Sequence, residues 1–137
     1  MYFLTPSDFD LIIKQESISQ ITQSDPTILE NAVDVAIAEI QSYLKQRFDV
    51  NAIFTQPTAT RNEQIVMYAC DIAVFHLMSR VNPRAVSEAR IARYDNAIKW
   101  LNMVRKGELI PDLPLIQTEE TATTFFYGGN KPFRYGL

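Results

Sequence analysis

Apolar positions in this chain recur with a helical period, and the longest apolar run, Glu63-Gln-Ile-Val-Met-Tyr-Ala-Cys-Asp-Ile-Ala-Val-Phe-His-Leu-Met-Ser79, is the stretch around which the rest is arranged. At about 100° per residue, Ile65, Val66, Met67, Ala69, Cys70, Ile72, Ala73, Val74, Leu77 and Met78 cover most of a helix circumference, so this helix must be enclosed. Asp71 and His76 interrupt the run, and neither end carries the aromatic and basic flanks of a membrane span. The pattern therefore predicts the central helix of a small bundle. Thr60 and Glu63 have capping-box spacing and predict where it starts.

The flanking elements follow from cap residues and prolines. Thr5-Pro6-Ser7-Asp8 predicts a short first helix near 6–14, with Phe9, Leu11, Ile12 and Ile13 as its apolar side. Ser17–Ser24 carries a weaker pattern, worth at most one further helical turn. Asp25-Pro26 opens a helix running to about 48, with Leu29, Ala32, Val33, Ala36, Ile37, Ile40, Tyr43 and Leu44 on one arc and Glu30, Asn31, Asp34, Gln41, Ser42 and Lys45 opposite. Asp49–Ala59 reads as a loop. Asn82-Pro83 predicts the start of a last helix that Gly107 ends. That helix has a core arc (Val86, Ile91, Tyr94, Ala97, Ile98, Leu101, Val104) and a second apolar set (Ala89, Ala92, Trp100, Met103) on another side. Trp100 and Met103 then either lie under the C-terminal tail or make a subunit contact. The expected fold is all-α: three main helices near 26–48, 62–80 and 83–106, with the short N-terminal helix packed across them.

Beyond Leu109 the pattern breaks. Pro111 and Pro114 exclude a helix and Thr118–Thr124 is polar, so the chain divides into a helical domain, 1–114, and an extended arm, 115–137. Gly128-Gly129-Asn130 between aromatic flanks suits a hairpin turn, with Pro132 limiting the second strand to an edge. Phe125, Phe126, Tyr127, Phe133 and Tyr135 are too many aromatics to leave in water, so the arm is expected to dock, either on its own domain or on a partner.

Composition narrows the class. At 137 residues and 47% hydrophobic, the chain supports one core. Its net charge of −3 is unevenly spread: residues 1–79 carry 4 basic and 10 acidic groups, 80–106 carry 7 and 2, and 107–137 carry 2 and 4. This polarity suits internal pairing or contact between copies, and the basic groups of 80–106 point several ways round their helix rather than forming a stripe for DNA. No sequence-specific nucleic-acid binding and no membrane association are expected. One cysteine allows neither a disulfide nor a zinc cluster within the chain, and Met-Tyr-Phe-Leu-Thr-Pro lacks the basic and apolar regions of a secretory signal, so folding in a reducing cytoplasm is expected.

Candidate chemistry is sparse. Cys70 and His76 share a helix, but six residues separate them by about 120° around the axis, and an apolar setting disfavours the thiolate. His76 is the only histidine. Gln64, Tyr68, Asp71, Phe75 and Ser79 form a polar and aromatic seam along the central helix; a carboxylate there needs a partner, and Arg90 is the expected one. No phosphate loop or Ser-x-x-Lys motif is present, so no enzyme activity, cofactor or metal is expected.

Several stretches in order resemble the Mu-like family of small head-tail connector proteins of tailed bacteriophages and prophages: Met1-Tyr2-x-Leu4-Thr5 with Asp8-Phe9, then Ala36-Ile-Ala-Glu-Ile40-x-x-Tyr43-Leu44-x-x-Arg47-Phe48, then Ala69-Cys-Asp-Ile-Ala73, and last Arg93-Tyr-Asp-Asn-Ala-Ile-Lys-Trp-Leu101 with Lys106-Gly-Glu-Leu109. Phe133-Arg134-x-Gly136-Leu137 is similar to the endings of some members. The resemblance implies an all-helical virion subunit, made in the host bacterial cytoplasm, that forms a homo-oligomeric ring between the portal and the tail or stopper proteins, with DNA passing through it. The reading from another class is a free-standing helical interaction or regulatory module that takes a partner helix on the seam or the Trp100 face.

Overall fold

The computed structural model describes residues 3–117. Among them are five α-helices: α1 (Gln15–Thr22), α2 (Pro26–Leu44), α3 (Val50–Phe54), α4 (Glu63–Val81) and α5 (Glu88–Arg105), with 3-10 turns at Pro6–Phe9, Thr58–Thr60 and Pro83–Ala85. No strand is formed among the described residues, and one isolated antiparallel bridge joins Phe48 to Leu115. The mostly helical class is as expected. The hairpin expected around Gly128-Gly129-Asn130 lies outside the described residues.

The three long helices are α2, α4 and α5. Side-chain contacts pair Tyr68, Asp71 and Phe75 of α4 with Trp100, Arg93 and Tyr94 of α5, so those two helices run antiparallel. Contacts of Glu39 with Tyr94 and of Tyr43 with Arg105 set α2 parallel to α5. The enclosure that the apolar run predicts for α4 is found: Ile65, Val66, Ala69, Cys70, Asp71, Ile72, Ala73, Val74 and Leu77 are buried, while Met67 and the last residue, Val81, are exposed. Leu29, Val33, Ala36, Ile40 and Leu44 of α2 and Ala97, Trp100, Leu101 and Val104 of α5 complete the core, which Phe3, Leu4, Phe9, Phe48, Ile53 and Phe54 close.

Helix boundaries differ from the expected ones for local reasons. The predicted 6–14 helix is a 3-10 turn, because Lys14 is extended and restarts the chain as α1. Gln23 and Ser24 both take positive φ after α1 (55° and 61°), and Ser24 N–H bonds Ser19 O while Gln23 N–H bonds Gln20 O, closing a Schellman end with glutamine where glycine is usual. α2 stops at Leu44 rather than 48, since Asp49 caps α3 by accepting from Ala52 N–H at 3.1 Å; part of the predicted loop 49–59 is thus helical. The cap of α4 is Asn62, whose Oδ1 accepts from Ile65 N–H at 3.1 Å, and Thr60 instead belongs to a 3-10 turn. Asn82-Pro83 opens only the turn Pro83–Ala85; Val86 and Ser87 are extended, and Ser87 caps α5. Gly107 ends α5 at φ 81°, as its position predicts, with Glu108 N–H on Met103 O at 2.9 Å and Gly107 N–H on Val104 O at 3.0 Å.

Candidate functional site

The polar and aromatic seam of α4 is filled by the chain's own α5. The Tyr68 ring lies 5.0 Å from the Trp100 ring, and Phe75 stacks on Tyr94 at 4.1 Å and 17°. Between these ring pairs, Asp71 accepts from Arg93 Nε at 2.7 Å. Arg93, not Arg90, is therefore the partner of Asp71. Arg90 sits one turn earlier on α5 and donates to the Ile12 carbonyl, where the N-terminal segment crosses the helix end, so its guanidinium is committed elsewhere. The Asp71 carboxyl is raised above the ordinary range because burial outweighs the hydrogen bond and charge of Arg93. Asp71 is thus a buried acid held by one half-exposed cation.

Trp100 is 7% exposed and packs within the core, so its side chain is not a free face. Its Nε1 is buried with no acceptor among the described residues. Met103 is half-buried. The second apolar set thus splits: Trp100 turns inward, while Ala89 and Ala92, near the start of α5, remain exposed. Phe125, Phe126, Tyr127, Phe133 and Tyr135 lie outside the described residues.

Cys70 and His76 are not brought together. Cys70 Sγ lies 3.7 Å from the Asp8 carbonyl, and burial pushes its thiol up to about 12. His76 Nε2 meets Glu39 Oε1 at 3.1 Å, and Tyr94 Oη donates to Glu39 Oε2 at 2.7 Å. This shared carboxylate ties α2, α4 and α5 together. Burial, then the hydrogen bond to Glu39, raises the Tyr94 phenol, which stays a neutral donor. Among the described residues no cluster of three or more His, Cys, Asp or Glu could hold a metal ion.

A second ion pair has no counterpart in the sequence reading. Arg61 forks onto Asp8, Nη1 to Oδ2 at 2.6 Å and Nη2 to Oδ1 at 3.0 Å, and Nη1 also donates to Phe3 O at 2.9 Å. Thr5 N–H adds a bond to Asp8 Oδ2 at 2.6 Å. Burial acting alone would raise the Asp8 carboxyl; the Arg61 hydrogen bonds, the Thr5 N–H and the Arg61 charge together hold it below its usual value. Both side chains are nearly buried, 6% and 11% exposed, and the pair pins the N-terminal turn to the start of α4. The two residues are 53 positions apart, so no sequence period links them.

Two surface features remain. A groove of about 340 Å³ between the N-terminal half of α2 and the C-terminal end of α4 is lined by Ile28, Ala32, Val35 and Leu77 together with Asn31, His76 and Arg80. Val35 is 53% exposed there. At the opposite end of α2 the chain returns past Arg47–Asp49: Asp49 N–H bonds Pro114 O at 2.9 Å and Ile116 N–H bonds Arg47 O at 3.1 Å. The segment after the helical domain thus starts tied to the end of α2. Among the described residues no helix is long and apolar enough to cross a membrane.

No curated protein and no solved structure matches this chain. The family model described as bacteriophage Mu, Gp36 matches residues 3–126, which takes in every helix described above and the start of the arm. The order of stretches that suggested a Mu-like phage protein is thus supported by a match over most of the chain, and the chain belongs to the bacteriophage Mu Gp36 family.

Proposed function

We propose that this protein is a structural virion component, a head-tail connector or adaptor subunit that forms a homo-oligomeric ring between the portal and the tail or stopper proteins of a tailed phage or prophage. Family membership supplies the phage context. The observation that supports the ring is that the exposed charges of α2 are acidic, whereas those at the end of α4 and on the turn after it are basic. Glu30 and Asp34 stand on the outer arc of α2, whereas Arg80 and Arg84 are exposed at the end of α4 and on the turn after it. A ring needs two different surfaces of one subunit that complement each other, and an acidic helix face meeting a basic one meets that need. Tyr68 and Phe75 of the α4 seam pack against Trp100 and Tyr94 of α5, which favours this reading over a free-standing module that takes a partner helix on those faces.

The experiment is assembly with purified portal. The full chain is expected to join portal as a ring visible by negative-stain electron microscopy, and phage lacking the protein is expected to accumulate filled heads that do not join tails. Normal head-tail joining in its absence sinks the connector reading.

A further inference from the structure

We propose that the groove between α2 and α4 receives the turn Glu108-Leu-Ile-Pro-Asp112 of a second copy of this chain, with Ile110 seated between the helices and Asp112 meeting Arg80. The proposal rests on the ring reading above and names the contact that links one subunit to the next.

The turn presents an apolar side chain on a fixed backbone. Leu109 and Leu113 pack against the core, Leu113 N–H bonds Pro111 O at 3.0 Å, and Asp112 O accepts from Asn62 Nδ2 at 3.4 Å. Between these ties Ile110 is left 76% exposed. Pro111 and Pro114 restrict the backbone further, so little conformational freedom remains to be lost on docking. An aliphatic side chain held in water this way gains by transfer into an apolar groove.

The groove matches the turn in both respects. Ile28, Ala32, Val35 and Leu77 give about 340 Å³ of space its apolar walls, and Arg80 lines it with a permanent positive charge. Arg84, on the turn that follows α4, is a second exposed cation at that end. Glu108 and Asp112 stand two residues either side of Ile110, and no basic residue occurs from 107 to 117. An acidic, apolar turn and a basic, apolar groove are complementary in sign as well as in polarity.

The turn of the same chain cannot fill this groove. Asp49 N–H on Pro114 O, Ile116 N–H on Arg47 O and Asn62 on Asp112 O hold it beside the end of α2 and the start of α4, and Gly107 joins it directly to α5. His76 lies 14 positions after Asn62 along α4, about 21 Å at 1.5 Å per residue, so the groove is at the far end of the bundle. A second copy supplies the turn. Because turn and groove are different surfaces of one subunit, the contact is head-to-tail and propagates round a ring instead of closing as a two-fold dimer.

The test is disulfide trapping in the full chain. Val35→Cys and Ile110→Cys, both at exposed positions, are made separately, one carrying a size tag, then mixed at high concentration with and without purified portal and oxidised. Native Cys70 is buried and does not compete. Leu11→Cys, 96% exposed and outside the groove lining, is paired with Ile110→Cys to report random collision. The expected result is a mixed V35C–I110C dimer formed about tenfold more than the L11C–I110C dimer, with or without portal, because a docked pair holds its two thiols together. Arg80→Glu on the V35C chain, or Asp112→Lys on the I110C chain, should each lower that yield several-fold. The two reversals combined should restore it, which a merely structural effect of either would not do. Yields equal to the control in both conditions overturn the proposal, as does a reversed pair no better than either single reversal. A V35C/I110C double variant that closes within one chain also overturns it. Head-tail joining by phage lacking the protein is scored in parallel: trapping with normal joining sinks the connector reading and leaves the groove contact standing, and failed joining without trapping does the reverse.

Discussion

Removing Arg61 tests whether a buried ion pair holds the N-terminal turn on the bundle. In the folded chain its guanidinium makes two bonds to Asp8, one to Phe3 O and one to Thr58 O, and its side chain is 6% exposed. Arg61→Met keeps most of the volume and deletes all four bonds. Asp8 is then a buried carboxylate with only Thr5 left on it, and breaking one side of such a pair costs about 3–5 kcal/mol. Asp8→Asn in the Arg61→Met background removes the stranded charge, so the double variant should recover about 2 kcal/mol of that loss, a coupling of the size expected for residues in direct contact. Urea unfolding followed by far-UV circular dichroism measures both. The pH dependence supplies an independent sign. A depressed carboxyl contributes stability above its unfolded pKa, near 4, and loses it as pH falls through the folded value, so in the native chain this pair makes stability rise with pH in the acid range. Without Arg61, burial pushes the same carboxyl up, and a raised carboxyl makes stability fall as pH climbs from about 4 to the folded value. Comparing the two proteins cancels the contribution of Asp71. A loss below about 1 kcal/mol, with an unchanged pH slope, refutes the reasoning.

Asp71→Asn keeps an acceptor for Arg93 and removes a charge that burial disfavours, so it should leave stability at neutral pH unchanged or higher; a loss beyond about 1 kcal/mol in urea unfolding contradicts this. Gly107→Ala should cost about 1–2 kcal/mol, because an added Cβ lies 3.0 Å from Arg47 Nη1 and φ is 81°, and thermal unfolding reads the change. Trp100→Ala should act through stability, lowering it by about 3–5 kcal/mol by chemical denaturation; unchanged stability with lost portal binding would instead make Trp100 an interface residue. A thiol reagent should modify Cys70 only in denaturant, and rapid reaction of the native protein would overturn its burial, since the thiol is pushed up to about 12.

What the sequence by itself determines here is whatever depends on local periodicity and local caps. The enclosure of α4 follows from an apolar circumference, the start of α2 from Asp25-Pro26, and the end of α5 from Gly107, because each signal lies within a few residues of its effect. The extra helix α3 and the late start of α5 were less legible: Asp49 and Ser87 are ordinary cap residues whose competitors, a long α2 and Pro83, look equally good until the chain has to turn. The seam along α4 is readable as a stripe, but its occupant is not. Helix crossing places Arg93 opposite Asp71 and sends Arg90 to the N-terminal segment, and a register of one turn decides between them. Trp100 likewise reads as a surplus apolar residue and becomes core once Tyr68 comes to meet it. The Asp8–Arg61 fork and the groove between α2 and α4 belong wholly to the tertiary structure: both join residues tens of positions apart, where side-chain contact is set by how helices pack and not by any spacing along the chain.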